Sequence, residues 1–452
     1  MRTVDILRST RSLPTWAAVD VRELPRRTRT IVIGVAVLGL LAAFAISFEI
    51  YRRFGAPRNE LDLRIYYNAM ASWHGGNDLY SYAYPDKVNG LLGFTYPPFA
   101  ALIMSPLPML SIRWIIAIAG LGIVATTVVL VMLSLRERMY LRRPQFLLAT
   151  GLATAAAFCL QPVSQTLAYG QVNTALAVLV MVDVFVLGRR GSRFAGVGIG
   201  LAMAIKLTPA IFLVYLVIGR RWRMLRVAVA TAAAATLAAA LVVPADSWQY
   251  FTSLLWDAGR VGVVDNTANQ SLNGTLARIT GSLAPDKVVW AVGVLIVLAV
   301  GSVRIHRAVG AGDTLLAVTV TGLMGVLISP VSWIHHAVWI VPAVVVAVAQ
   351  LVRTVPRHRF RPAAGNTRLD PADRTAMRRW IAGAGLLATG LFVFIVNTRN
   401  LFGLPDVHYA GRSIGAALAG SIQTIWMLAA LVLLPIRTDM SSERPRPLAG
   451  SR

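Results

Sequence analysis

The sequence contains few charged residues and almost no cysteine. Only 14% of its 452 residues are charged, and 20 are acidic, whereas soluble proteins carry roughly 25% charged residues. A soluble enzyme is therefore not expected. The single cysteine, Cys159, lies in an apolar stretch, which excludes an internal disulfide and argues against a cysteine metal site. The chain also has no glycine-rich phosphate-binding loop and no internal repeat.

Long apolar runs are the dominant feature of the chain. Apolar residues make up 56% of it, and the mean hydropathy is +0.63. A membrane span requires about 20 mostly apolar residues. Such runs occur near 31–48, 112–133, 145–163, 174–188, 227–243, 287–303, 314–331, 337–352, 380–396 and 413–435. The stretch 194–218 is also apolar, but Lys206 and Pro209 interrupt it, which predicts a broken pair of short helices or a re-entrant hairpin. We therefore predict an all-α polytopic membrane protein with ten to twelve transmembrane helices.

The distribution of basic residues predicts the orientation of these helices, because cytoplasmic loops carry an excess of Lys and Arg. With the N-terminus in the cytoplasm, the cytoplasmic segments are 1–30, 134–144, 189–193, 219–226, 304–313, 353–379 and 436–452. They hold 32 of the 44 basic residues and nine of the acidic ones, which is +23 of the formal net charge of +24. Topology thus accounts for the charge, and no nucleic-acid partner is predicted. We expect a multi-pass plasma-membrane protein whose terminal segments, 1–30 and 436–452, are cytoplasmic tails flanking a transmembrane domain at 31–435.

Polar but weakly basic sequence collects on the opposite side of the membrane. It comprises a first outer loop at 49–98, a short loop at 164–173, a long outer loop at 244–286 and the segment 332–336. The apolar stretch Phe99–Leu110 is too short to span and is expected to lie at the interface, where it could hold a lipid chain. Any chemistry is therefore expected at the extracytoplasmic face.

Two ionisable residues stand out, and each has two interpretations. Asp62 follows the predicted first span and is either a general base at the membrane interface or an ordinary first-turn helix acid. Lys206 interrupts an apolar segment, and it either belongs to a functional site or extends its ammonium group to the interface.

Several polar motifs on the outer side are open to similar alternatives. Gln171 and Asn173 either bind sugar hydroxyls or satisfy backbone groups. Tyr96 suits an interface position, and the loop around Asn269 and Gln270 suits contact with a carbohydrate. His335 and His336 follow Trp333; they either bind a phosphate or tune a carboxylate, or they belong to an interfacial aromatic belt.

These motifs, in this order, resemble one known family. The motifs are DLRIYY from Asp62, FTYPPFAAL, YGQVN, GLAMAIKLTPA, NQSL and SPVSWIHH ending at His336. Together they resemble actinobacterial polyprenol-phosphate-mannose-dependent α-(1→2)-mannosyltransferases, which form glycosyltransferase family 87 of the GT-C superfamily. The resemblance covers most of the chain, and the sequence after about residue 353 is expected to add little beyond further spans.

The resemblance implies a GT-C-like fold with an extracytoplasmic active site and an inverting transfer of mannose. The donor would be polyprenyl-phosphate-mannose, and the acceptor a mannosylated glycolipid such as a phosphatidylinositol mannoside, lipomannan or lipoarabinomannan. Asp62 would be the catalytic base, and His335 or His336 would face the donor phosphate. The substrate-binding residues would be Arg64, Tyr66, Tyr96, Gln171, Asn173, Lys206, Asn269, Gln270 and Trp333. No metal and no cofactor are predicted.

Two other functions remain open from the sequence. One is the same fold with another lipid-phosphate sugar as donor. The other is a transporter or flippase of lipid-linked sugars. Transporters usually show internal repeats with paired broken helices and binding groups at the midplane, whereas the sequence suggests a single broken segment and polar residues at one face.

Overall fold

The structure is a computed structural model that describes residues 60–354 and 371–437. The predicted N-terminal tail at 1–30, the apolar run at 31–48 and nearly all of the predicted C-terminal tail at 436–452 lie outside the described residues. Within these ranges the protein is mostly helical, as predicted. The α-helices are α1 (Leu61–His74), α2 (Pro98–Met104), α3 (Ile112–Arg138), α4 (Arg143–Cys159), α5 (Gln161–Tyr169), α6 (Asn173–Val182), α7 (Val197–Ile205), α8 (Phe212–Ile218), α9 (Trp222–Val242), α10 (Pro244–Thr252), α11 (Leu272–Thr280), α12 (Lys287–Gly310), α13 (Thr314–Ile328), α14 (Ile340–Thr354), α15 (Pro371–Ile395), α16 (Thr398–Leu401), α17 (Ile414–Gly420) and α18 (Ile422–Leu433).

The predicted outer loop 49–98 contains regular structure where it is described. Helix α1 is followed by an antiparallel hairpin of strands β1 (Tyr84–Asp86) and β2 (Gly90–Leu92). The Asp86 side chain accepts hydrogen bonds from the backbone N–H groups of Val88 and Asn89 at 3.0 and 2.8 Å. This local bonding of an aspartate to the following backbone closes the turn.

Three helices are individually long and apolar enough to cross a membrane: α3, α9 and α12. Two further candidates are bent pairs, α4 with α5 at 74° and α17 with α18 at 65°. The described residues therefore contain three to five candidate spans by length and composition, and the predicted count of ten to twelve is not confirmed. The bend after α4 lies at Leu160, whose backbone is extended (φ −78°, ψ 127°), and Pro162 follows in the first turn of α5, where a helix tolerates proline.

The apolar runs at 145–163 and 413–435, each predicted as one span, are thus broken in the structure. The stretch 194–218 is broken as predicted, since α7 ends at Ile205 and a 3-10 turn leads into α8. The prediction of a single broken segment was therefore wrong. Lys206 caps α7 with an extended backbone (φ −149°, ψ 132°), which directs the chain out of the helix at this residue.

The main core surrounds α13, which is buried on all sides by α8, α12, α14 and α18. An apolar sequence without a polar face is typical of such a fully enclosed helix. At one end of this core Arg138 donates a hydrogen bond to Asp313 at 2.7 Å, and Arg189 pairs with Glu137. These residues come from three segments that were predicted to be cytoplasmic. The predicted outer segments, by contrast, meet at the opposite end of α3, which has 27 residues and is about 40 Å long at 1.5 Å per residue.

Candidate active site

A large cleft lies where the predicted outer segments meet. Its empty volume is about 1300 Å³, open solvent at the mouth included. Helices α1 and α5, the loop after β2, the loop before α11 and the 3-10 turn Ile334–His336 line it, together with the segment after α15. Apolar and aromatic residues line part of the cleft, but polar side chains are numerous, and a concave site of this size with convergent polar groups is typical of a ligand-binding site.

Asp62 lies in the first turn of α1 and lines the cleft. Its position is therefore compatible with both interpretations, a general base and a first-turn helix acid. Its Oδ2 accepts a hydrogen bond of 2.6 Å from Nε2 of Gln171, which also lies 3.1 Å from the Tyr66 hydroxyl. The carboxylate is therefore held in a fixed orientation at the cleft wall.

Gly170 permits this contact between α1 and the end of α5. It caps α5 in the left-handed region (φ 68°) and lies against Leu63 so closely that an added Cβ would lie 2.5 Å from the Leu63 Cβ. Glycine adopts this conformation without the strain that a side chain imposes. The YGQVN motif therefore places Gln171 beside Asp62 because only glycine fits before it.

Tyr96 continues the polar contacts from Gln171 to Lys206. Its hydroxyl donates to Oε1 of Gln171 at 2.6 Å, and the Lys206 ammonium lies 3.4 Å from the same hydroxyl. Burial, in the first place, raises the pKa of Tyr96 and keeps it protonated. Asp62 and Lys206 are thus connected through a neutral amide and a neutral phenol rather than in direct contact.

Lys206 is 8% exposed and has three neutral partners. Besides Tyr96, its Nζ donates to Asn173 Oδ1 at 3.0 Å and lies 3.0 Å from Nε2 of His336. In residues 60–354 and 371–437, none of the ion pairs includes Lys206. A buried cation without an ion partner has a high desolvation cost, so this position favours a bound anion.

The tandem histidines complete this end of the cleft and lie in a loop outside the candidate spans. Burial first, and the charge of Lys206 second, lower the pKa of both well below the usual range, so both are neutral at pH 7. His336 Nε2 then accepts from Lys206, which places the ring proton on Nδ1. Neither His336 Nδ1 nor His335 Nε2 has a hydrogen-bond partner in the described part of the chain.

Nine of the twelve residues predicted for the site line the cleft: Asp62, Tyr66, Tyr96, Gln171, Lys206, Gln270, Trp333, His335 and His336. Asn173 lies behind it and contacts Lys206. Arg64 and Asn269 are not among the lining residues. Arg64 is partly exposed and pairs with Glu60 at 3.6 Å.

Asn269 and Gln270 have clear structural contacts. Asn269 is fully buried, and its Oδ1 accepts from the Ser332 backbone at 2.9 Å, which fixes the turn before the histidines. Both ends of the Gln270 amide are occupied, by Gly420 O on one side and by Thr424 on the other. The NQSL motif thus positions the SWIHH segment and α18.

A second group of cleft residues was not predicted from the sequence. It comprises Gln161 and Gln165 on α5, the residues Asn397, Arg399 and Asp406 that follow α15, and Gln423 on α18. The expectation that the chain after residue 353 adds only spans was therefore wrong. A signal was present in the sequence, because Gln161 and Gln423 lie inside runs that are otherwise apolar. A glutamine is unusual at such a position unless its amide has a partner or a ligand.

No group of three or more His, Cys, Asp or Glu side chains suited to a metal ion occurs within 60–354 and 371–437. The absence of a metal and of a cofactor stays a prediction.

Comparison with known proteins identifies related sequences. The model of glycosyltransferase family 87 matches residues 94–330. A polyprenol-phosphate-mannose-dependent alpha-(1-2)-phosphatidylinositol mannoside mannosyltransferase of Mycobacterium tuberculosis is 36% identical over 69% of this chain and 75% of its own length. The protein of the same name in Mycolicibacterium smegmatis is 30% identical over 88% of both chains. A phosphatidylinositol pentamannoside mannosyltransferase of that organism is 35% identical over 63% of this chain and 68% of its own.

Among solved structures, ArnT from Cupriavidus metallidurans in the apo state is similar at a TM-score of 0.35. Its sequence identity to this chain is 16%, and the match covers 90% of this chain and 77% of ArnT.

Proposed function

This chain belongs to glycosyltransferase family 87, and from that premise we propose that it transfers mannose from polyprenyl-phosphate-mannose to a mannose hydroxyl, with inversion. The product is an α-1,2 linkage on a lipid-anchored cell-envelope glycan, of which phosphatidylinositol mannosides, lipomannan and lipoarabinomannan are examples. The names of the similar mycobacterial proteins support this donor and the phosphatidylinositol mannoside acceptor. No metal and no cofactor take part in this reaction.

The observation that carries the proposal is the separation of Asp62 from Lys206 within one cleft. A base and a cation in direct contact would neutralise each other. Here Gln171 and Tyr96 lie between them. A sugar phosphate can therefore lie along this wall with its phosphate at Lys206 and its sugar towards Asp62.

The reaction then requires only positioning, one base and charge stabilisation. The acceptor hydroxyl gives its proton to the Asp62 carboxylate, and its oxygen attacks C1 of mannose from the face opposite the phosphate. The C1–O bond to the phosphate breaks, and its electron pair stays on the phosphate oxygen. Lys206 and the neutral His336 stabilise the charge of the departing polyprenyl phosphate. Inversion at C1 converts a β-linked donor into an α-linked product.

A membrane enzyme of GT-C type with an extracytoplasmic cleft suits these substrates. The arginine-rich turns meet at the end of the molecule opposite the cleft, which supports cytoplasmic termini and a plasma-membrane location. Helix α2 and the following turn expose Ile103 and Met109, and this apolar surface suits a polyprenyl chain. The complete enzyme is proposed to have ten to twelve transmembrane helices.

The test is mannosyl transfer by the full chain in membranes, with radiolabelled polyprenyl-phosphate-mannose and phosphatidylinositol mannosides as acceptors. The wild type should form an α-1,2-linked product, and Asp62→Asn should not, since an amide cannot accept the proton. Asp78→Asn is the matched control, because Asp78 is exposed and does not line the cleft. Transfer by Asp62→Asn at the wild-type rate would contradict the role of Asp62.

Two further arms separate the alternatives. Replacing the donor by another lipid-phosphate sugar tests the sugar, because only mannose should support transfer. Proteoliposomes without acceptor test the transporter hypothesis, since movement of the lipid-linked sugar across the bilayer would favour a flippase.

A further inference from the structure

We propose that the group of polar residues missed by sequence analysis is the binding site for the terminal sugar of the acceptor. It is referred to here as the amide subsite and comprises Gln165, Gln423, Arg399 and Asp406. The identity of the acceptor as a mannosylated lipid rests on the proposed function. The inference that the site binds neutral sugar hydroxyls rests on the side chains themselves.

The amide subsite is built by helix α5, which also supports the catalytic wall. The Tyr169 ring on α5 packs against His335 at 5.3 Å between centroids, and Thr166 donates to the His335 backbone oxygen. Gln165 lies one turn before Tyr169 and also lines the cleft; it is half-buried and makes no hydrogen bond within residues 60–354 and 371–437. One rigid helix therefore fixes the subsite relative to the histidines, as positioning an acceptor for attack requires.

Gln423 supplies a buried polar atom that lacks a partner. Its Nε2 donates to Gln161 Oε1 at 3.1 Å and to the Val393 backbone oxygen at 3.2 Å, so the orientation of the amide is fixed. The other end, Oε1, is buried and accepts no hydrogen bond in the described residues, although the side chain lines the cleft and is 3% exposed. An unsatisfied buried acceptor destabilises the folded state, and a sugar hydroxyl would satisfy it.

The charge of the amide subsite favours a sugar over a phosphate. Arg399 forms an ion pair with Asp406, and its guanidinium also donates to Asn400 at 3.1 Å. The positive charge is therefore neutralised locally, in contrast to the charge of Lys206. Planar carboxylate, guanidinium and amide groups provide donors and acceptors in the fixed pairs that match vicinal hydroxyls.

The experiment measures equilibrium binding to the full chain in lipid nanodiscs, without turnover. The probes are a labelled phosphatidylinositol mannoside, phosphatidylinositol without mannose, and polyprenyl phosphate. The variants are Gln165→Leu and the double variant Arg399→Gln with Asp406→Asn, which keeps the local net charge at zero. The controls are Gln249→Leu and Asp78→Asn, since both residues are exposed and lie outside the cleft.

Each variant should weaken binding of the mannosylated lipid by about five- to tenfold, the equivalent of one or two hydrogen bonds. Binding of polyprenyl phosphate and of unmannosylated phosphatidylinositol should stay within about twofold of the wild type, and the controls should change none of the three. Unchanged binding of the mannosylated lipid, or an equal loss for phosphatidylinositol, would overturn the inference. Thermal unfolding of each variant separates loss of binding from misfolding.

Failure of the proposed function can be distinguished from failure of the amide subsite. If the wild type binds mannosylated lipid through the amide subsite but transfers no mannose, the proposed reaction is wrong and the subsite stands. If it transfers mannose and the variants bind acceptor normally, the subsite is wrong and the reaction stands.

Discussion

Two buried basic residues at opposite ends of the molecule have opposite surroundings. Arg138 contacts the carboxylate of Asp313, and both side chains are almost fully buried. Lys206 is similarly buried, but its partners are a phenol, an amide and an imidazole, and Asp62 is reached only through Gln171 and Tyr96. The charge of Arg138 is matched within the protein, whereas the charge of Lys206 is left to be matched.

An acid and a cation can therefore either stabilise the fold as an ion pair or act separately on bound substrates. In contact, they compensate each other's desolvation and join distant segments of the chain, here residues 175 apart in sequence. Separated by neutral groups, they can act on two substrates, the cation on the phosphate of the donor and the acid on the reacting hydroxyl of the acceptor. The following predictions test this contrast, beginning with the largest expected effect.

Asp62→Asn and Asp313→Asn should have opposite consequences. The first should reduce mannosyl transfer by about 10²- to 10⁴-fold and leave thermal unfolding unchanged, because a general base is lost. The second should lower the unfolding temperature, because it weakens a buried ion pair, while the folded fraction keeps its activity. Transfer assays and thermal melts of the two purified variants check this, and an unstable Asp62→Asn would break the comparison.

Arg138→Met should destabilise the protein by about 3–5 kcal/mol, because it leaves the Asp313 carboxylate buried without its cation. The double variant Arg138→Met with Asp313→Leu should recover much of that loss, since both charges are then removed. Denaturation in mild detergent measures both. Equal destabilisation by the single and double variants would show that the ion pair itself is not responsible.

Lys206→Met should reduce kcat/KM for the donor by about 10²- to 10³-fold, the usual cost of losing one electrostatic group in an active site. Its unfolding temperature should stay at or above that of the wild type, because an uncompensated buried charge is removed. Binding of polyprenyl phosphate should weaken, in contrast to the amide-subsite variants. A large fall in stability would instead assign Lys206 the same role as Arg138.

Tyr96→Phe should have a smaller effect, a loss of about five- to tenfold in transfer, because one hydrogen bond to Gln171 disappears. The ring remains packed against Tyr66 at 4.9 Å, so the fold should be retained. Steady-state kinetics at saturating acceptor measures the loss. An effect as large as that of Asp62→Asn would indicate that Tyr96 itself takes part in proton transfer.

The smallest effect expected is on pH dependence. The pKa values of His335 and His336 are well below the usual range, so neither ring changes charge between pH 6 and 8 in the free enzyme. The profile of kcat/KM reports groups in the free enzyme, and His336→Gln should leave its shape unchanged in that interval. An inflection near pH 6.5 that disappears in His336→Gln would contradict this prediction.

The sequence predicted those parts of the site that carry a local signal. An acid after the first apolar run, a lysine inside an apolar segment and adjacent histidines are each unusual where they occur. Nine of the predicted residues line the cleft. Arg64, Asn173 and Asn269 do not, because the order of motifs along the chain does not specify which way each side chain points.

The amide subsite had a weaker signal. Gln165 lies in the predicted short loop 164–173, and Gln423 lies 258 residues further on, within a run that is typical of an ordinary span. Only the bends at Leu160 and Ser421 bring α5 and α18 to one cleft. A bend of this kind depends on packing against neighbouring helices, so the position of the proline or glycine beside it does not specify its direction.

By itself the sequence determined that the protein is a helical membrane protein, because hydropathy and charge act locally along the chain. It also determined which residues are chemically unusual and which family their motifs resemble. Tertiary structure alone decided which acid meets which cation. Asp313 lies against Arg138, while Asp62 is held apart from Lys206, and both outcomes depend on helix packing between distant segments. Whether a buried charge stabilises the fold or binds a ligand depends on the contacts that its neighbours leave unfilled.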